Sequence, residues 1–90
     1  MLMIQRAANG RVVFRLCGRM TSGSVAEVDT LLQSEPKSRR IVLELKDLTL
    51  VDRDAVRFLA RCEASGVMFT DCPAYIREWI TGEKKQSEAH

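Results

Sequence analysis

Ile41-Val42-Leu43-Glu44-Leu45-Lys46-Asp47-Leu48-Thr49-Leu50-Val51-Asp52-Arg53-Asp54-Ala55-Val56-Arg57-Phe58-Leu59-Ala60-Arg61-Cys62 is the stretch that decides the fold. It opens with Ile41 to Leu45, a short apolar run broken only by Glu44, which predicts a central strand covered on both faces. Asp47 marks a turn, and Leu48 to Val51 continue extended. At Asp52-Arg53-Asp54 the period changes. Ala55, Val56, Leu59, Ala60 and Cys62 make an apolar stripe, opposed by Arg53, Arg57, Arg61 and Glu63, so the segment reads as an amphipathic helix. Ser65-Gly66 stops it, with glycine at the expected left-handed position. Val67 to Thr70 reads as the next strand.

Upstream, Asn9-Gly10 is a two-residue hairpin signal between Met3 to Arg6 and Arg11 to Cys17, which predicts two antiparallel strands. Gly18 is read as the end of the second. Thr21-Ser22-Gly23-Ser24 then supplies candidate N-caps for a helix. Val25, Val28, Leu31 and Leu32 form its apolar face, with Glu27, Asp29 and Gln33 outward, and it stops before Pro36. Lys37-Ser38-Arg39-Arg40 reads as a solvated basic loop. Downstream, Cys72-Pro73 starts a last helix, with proline in the first turn where its missing N–H costs nothing. Ile76, Trp79 and Ile80 share one face as core, Tyr75 flanks them, and Gly82 is read as the stop.

The order is β-β-α-β-α-β-α. Two strand–helix–strand units imply parallel pairing with right-handed crossovers. The expected fold is α/β: a small mixed sheet, N-terminal hairpin plus parallel strands, with helices packed mainly on one face. Residues 1–82 are expected to form a single domain, and 83–90 a polar, disordered tail.

A chain of 90 residues is one domain by length, with a modest core. Hydrophobic content of 46% and charged content of 29% place it among globular proteins. The net charge of +2, from 14 basic and 12 acidic residues, is too even to indicate nucleic acid or an anionic membrane as partner. No apolar run approaches the ~20 residues of a transmembrane helix, and the N-terminal residues show no signal-peptide pattern. A cytoplasmic protein without direct membrane insertion is therefore expected. Cys17, Cys62 and Cys72 fit no zinc spacing; their number leaves room for one disulfide, and the plainer reading is three reduced, mostly buried thiols. The lone histidine is His90, the last residue, so histidine-based catalysis or metal binding is not expected. No cofactor or metal is expected.

The Asp52-Arg53-Asp54 turn is the most informative spot for function. It lies at the carboxyl end of the sheet, where ligands and partners bind in α/β folds. It can be an exposed recognition turn, a plain helix cap through Asp52 or Asp54, or both. Paired catalytic carboxylates are not expected, since no base, metal ligand or nucleophile accompanies them. Cys72 has the attraction of a helix N-terminus, which lowers a thiol pKa, but lacks a base and reads as structural.

These residues resemble a family. Val13-Phe14-Arg15-Leu16-Cys17-Gly18-Arg19-Met20 is similar to its strand ending leucine-x-glycine-x-leucine. Ile41 through Asp52 is similar to its apolar strand, turn and valine-threonine-phenylalanine-isoleucine-aspartate signature, and Phe58-Leu59 and Gly66-Val67-Met68-Phe69 match the helix and strand that follow. The family is the STAS domain, of bacterial anti-sigma-factor antagonists and sulfate-transporter tails, and the resemblance runs from about Arg11 to Ile80. It implies a non-enzymatic regulatory domain of bacterial type that binds another protein. That partner is an anti-sigma-factor-like kinase or, in an alternative reading, a transporter ATPase subunit with the chain as accessory to an ABC transporter. A third reading is a small-molecule sensor with its pocket at the carboxyl end of the sheet. The family's signature continues aspartate-serine-serine-glycine, and a kinase phosphorylates the second serine. Here the run is Asp52-Arg53-Asp54-Ala55, so Asp54 stands at the phosphoserine position and no hydroxyl is available. Asp54 carries one charge where phosphoserine carries ~1.5–2. The expected partner-binding residues are Asp52, Arg53, Asp54, Ala55 and Arg57, with Met20, Thr21 and Ser22 at the neighbouring strand end.

Overall fold

The computed structural model describes residues 2–8, 10–36 and 40–88, the last five of them by backbone alone. The elements follow the expected order: β1 (Leu2–Ala8), β2 (Val12–Met20), α1 (Ser22–Gln33), β3 (Ile41–Val51), α2 (Arg53–Ala64), β4 (Met68–Thr70) and α3 (Ala74–Glu88). The strands form one sheet in the order β1-β2-β3-β4. β1 and β2 are antiparallel, while β3 runs parallel to both β2 and β4. This is a small mixed α/β fold.

The hairpin is present, but Ala8 pairs with Val12, so its connection spans three residues rather than two. Gly10 takes φ +79 there; Asn9 lies outside the described residues. Gly18 does not end β2. It sits at φ +97 inside the strand, at a register shift against β3, and the strand continues to Met20. Glycine accommodates the local bend that a bulge demands.

Asp47 is likewise not a turn, because β3 is continuous. Arg15 pairs with Glu44 but Cys17 with Asp47, and Gly18 pairs with Leu48 but Arg19 with Leu50, so β3 carries an extra residue at each shift. A bulge resets which residues face inward. The buried positions of β3 on the core side are accordingly Leu43, Leu45, Leu48 and Val51, and Leu50 is left exposed.

One cluster forms the core. It joins Val12, Phe14, Leu16 and Met20 of β2 to the inward residues of β3, to Val28 of α1, to Val56 and Leu59 of α2, and to Ile76 and Ile80 of α3. All three helices therefore pack on one face of the sheet. The expectation that β3 is covered on both faces fails in that respect. Val42, on the other face, is nevertheless buried, flanked in register by Val13 and Met68.

α2 ends as its glycine implies. Gly66 has φ +104, Val67 N–H donates to the Cys62 carbonyl at 3.0 Å, and Gly66 N–H to the Glu63 carbonyl at 3.1 Å. This paired pattern satisfies carbonyls that a helix end leaves open. α3 departs from expectation. Gly82 does not stop it, and the helix runs to Glu88, so the segment read as a tail is helical up to there. His90 lies outside the described residues. Trp79 is not core but 37% exposed; Ile76 and Ile80, one turn apart, take the inward face instead. No helix among the described residues is long and apolar enough to cross a membrane.

The cysteines are free thiols, with Cys62 buried and Cys17 and Cys72 half-buried. Burial pushes the Cys62 thiol up to about 12, and Asp29 adds to the rise. Thiolate is the reactive form. Cys62 should therefore resist iodoacetamide near neutral pH in the folded protein and react once urea unfolds it. Equal labelling of Cys62 before and after unfolding would show that α2 does not bury it.

Candidate functional site

The carboxyl ends of β2 and β3 meet where Met20 pairs with Val51, and the Asp52 N–H donates to the Met20 carbonyl at 3.2 Å. Asp52 is extended, with φ −102 and ψ 179, and is the N-cap of α2. Its Oδ1 accepts from the Ala55 N–H at 2.9 Å. Its Oδ2 accepts from the Ser22 N–H at 2.8 Å, on the first residue of α1. One carboxylate thus joins two helix N-termini, whose open N–H groups and dipoles both favour negative charge. Thr21 is the N-cap of α1 by position, but its side chain makes no capping bond, and α1 has no acidic residue in its first turn. The cap comes from Asp52 across the sheet end.

The expected site residues divide into two groups. Arg53, Asp54, Arg57 and Ser22 are exposed, and Asp52 and Thr21 are half-buried. Met20 and Ala55 are fully buried. They hold the turn in place and supply no surface, which corrects their assignment as contact residues. Asp54 stands in the first turn of α2 but does not cap it, and it makes no hydrogen bond or ion pair among the described residues. Arg57 does not turn to Asp54. Arg53 and Arg57 both approach Glu83 of α3, each with Nε 3.5 Å from a carboxylate oxygen. Glu83 is the residue that sequence reasoning missed, because the helix was ended at Gly82.

α2 and α3 are also joined by Glu63 and Arg77, in a two-pronged pair at 3.0 and 2.7 Å. Glu63 lies at the far end of α2 from Arg53, and Arg77 precedes Glu83 on α3, so the two helices run antiparallel and Glu83 lies beside the turn. Paired guanidinium and carboxylate forks are among the stronger surface contacts.

Cys72 precedes α3, and its thiol is 3.6 Å from the Pro73 carbonyl oxygen. Its pKa is raised, chiefly by burial, rather than lowered as a helix N-terminus would have it. No group of three or more potential metal ligands occurs among the described residues. An open groove lined by residues including Gln33, Glu35, Arg40, Ile41, Arg61 and Val67 lies at the amino end of the parallel strands. That is the opposite end from the Asp52 turn, so it is not the carboxyl-end pocket expected for a sensor.

No family model matches the sequence, and no curated protein matches it. Solved structures do. One is an uncharacterised protein of the DUF3478 family with a SpoIIAA-like fold, from Shewanella loihica PV-4. It has TM-score 0.57 and 14% identity over 94% of this chain and 77% of that one. Another is the anti-sigma factor antagonist SpoIIAA in its unphosphorylated form, with TM-score 0.60 and 17% identity over 87% of this chain and 79% of that one. A third, Mglu, has TM-score 0.58 and 26% identity over 80% of this chain but only 19% of its own. The chain has a STAS-like, SpoIIAA-like fold.

Proposed function

We propose that this chain is a non-enzymatic, cytoplasmic protein-binding module of the STAS type, whose contact surface is the turn and helix start from Asp52 to Arg57 with Thr21 and Ser22 beside it. The observation that carries the reading is the dual cap. Asp52 fixes the ends of two helices with one carboxylate, and Arg53, Asp54 and Arg57 project from that fixed frame into solvent. A charged surface on a fixed frame, with no nucleophile or metal-ligand cluster beside it among the described residues, suits recognition rather than catalysis. The similarity to an anti-sigma factor antagonist supports a regulatory role, with a protein partner of the anti-sigma-factor or transporter-ATPase kind.

The turn from Asp52 to Arg57 contains no hydroxyl, so its charge state cannot be set by a serine kinase. Incubation with kinases of such regulatory systems and ATP should leave this segment unmodified by mass spectrometry. A phosphate mapped there would overturn the reading of a fixed electrostatic state.

Asp54 provides the direct test. Because it caps nothing, Asp54→Ala should change stability by only about 0.5 kcal/mol, the weak helix-dipole contribution. Asp54→Ser and Asp54→Ala should both alter affinity for a partner recovered from the native cell by about tenfold, read by calorimetry. Unchanged affinity in both variants would place the contact elsewhere.

A further inference from the structure

We infer that the outer face of α2 is a docking surface for an acidic helix of a partner protein, read by the arginine row Arg53, Arg57 and Arg61. This rests on the reading of the chain as a protein-binding module and names the chemistry that the partner presents.

The three arginines stand four residues apart on one helix, so they line up one turn above another, with neighbours about 5–6 Å apart at Cβ. All three are exposed. Arg53 and Arg57 keep 62% and 53% of their side-chain surface although both approach Glu83, which keeps 12%. Neither arginine makes a hydrogen bond among the described residues, and 3.5 Å is long for one. Their forks therefore retain donors for a carboxylate. Arg61 lies over the Phe58 ring at 5.9 Å and has no carboxylate partner among the described residues. The ring face attracts the guanidinium, and Arg61 remains exposed.

The acids beside Arg53 and Arg57 are Glu83 and Asp54, while Arg61 borders a groove that Asp29, Glu35 and Arg40 also line, with Glu35 paired to Arg6. Five guanidiniums thus stand among four carboxylates, a small positive excess that is concentrated on the exposed row, on a chain whose overall balance is nearly even. That evenness favours a short, geometrically matched anion over a membrane or nucleic acid, which answer to broad charge. A helix with glutamate at every fourth position repeats the spacing of the row. Arg77 shows the intended pairing within this molecule, holding Glu63 through both terminal nitrogens.

The probe is a fluorescein-labelled, alanine-based helical peptide with glutamate at every fourth position, titrated against the whole protein. Its control carries glutamine at the same positions. The glutamate peptide should bind about tenfold more tightly and weaken as salt rises. Arg57→Gln and Arg61→Gln should each weaken it about threefold to tenfold. Arg61→Gln leaves the Glu83 contacts untouched, and a circular dichroism melt confirms that each variant folds. Equal binding of the two peptides, or binding indifferent to both variants, overturns the inference. So does tighter, Arg61-dependent binding to phosphatidylserine vesicles or to inorganic phosphate. If the peptide fails while a captured partner still responds to Asp54 substitution, only this inference falls. If the peptide binds through Arg61 while Asp54 substitution changes nothing, the row stands and the turn reading falls.

Discussion

Leu59→Ala is expected to destabilise the protein by about 2–5 kcal/mol in urea melts, with the slope of the transition little changed. Leu59 is fully buried at the middle of α2 and belongs to the cluster that joins all three helices to β2 and β3. Truncation removes apolar burial and leaves a void that neighbours from two layers cannot close together. Native stabilities are about 5–15 kcal/mol, and a domain this small has few other places to recover the loss. Trp79→Ala is the matched control. Trp79 is the larger side chain, yet it is partly exposed, so its removal should cost clearly less than that of Leu59. A loss below about 1 kcal/mol at Leu59 would mean that α2 presents a different face to the sheet.

Leu59 was legible because α2 combines a clean helical period with an N-cap aspartate and a terminal glycine, and each of these signals acts within a few residues. The element order follows from the same local signals, and the parallel pairing from the strand–helix–strand order, whereas the apolar run of β3 pointed to cover on both faces and the helices lie on one. What escaped the sequence is long-range. The two bulges of β3 depend on its register with β2, so nothing local says that Leu50 faces out while Leu48 and Val51 face in. Gly82 resembles a helix stop, but a glycine ends a helix only where the chain needs a left-handed turn. Here the following residue is engaged instead, by Arg53 and Arg57 some thirty positions earlier. A helix ended at Gly82 leaves out Glu83, the carboxylate that Arg53 and Arg57 both approach. Helical spacing puts Trp79 on the face of Ile76 and Ile80, but those two already fill the inward stripe and Trp79 is left at its edge, partly exposed. At the site, an aspartate cap on α2 was readable from Asp52, but its second bond to Ser22 joins segments thirty residues apart.

Asp52→Ala should destabilise the protein by about 2–3 kcal/mol, more than loss of an ordinary N-cap, which is typically about 1 kcal/mol. The reason is geometric. A normal cap satisfies one helix, whereas the Asp52 carboxylate accepts one N–H from α2 through Oδ1 and one from α1 through Oδ2. Both bonds involve a charged acceptor, and such bonds contribute about 1.5–3 kcal/mol rather than the smaller neutral value. Nothing else on α1 can replace the loss, since Thr21 makes no side-chain cap and the first turn holds no acid. Asp52→Asn separates the two contributions. Its amide keeps one acceptor oxygen and turns an NH2 group toward the other donor, so one bond survives and one becomes a clash of donors. Asparagine should therefore lose more than half of what alanine loses, although it is among the best N-cap residues on an isolated helix. Native-state hydrogen exchange reads the same point residue by residue. In Asp52→Ala the amides of Ser22 and Ala55 should both exchange faster, together with those of the first turns they open. If only the Ala55 amide accelerates and the asparagine variant melts like the parent, Asp52 is an ordinary cap of α2. The two helix starts would then be fixed independently, and the frame proposed for the binding surface would lose its keystone.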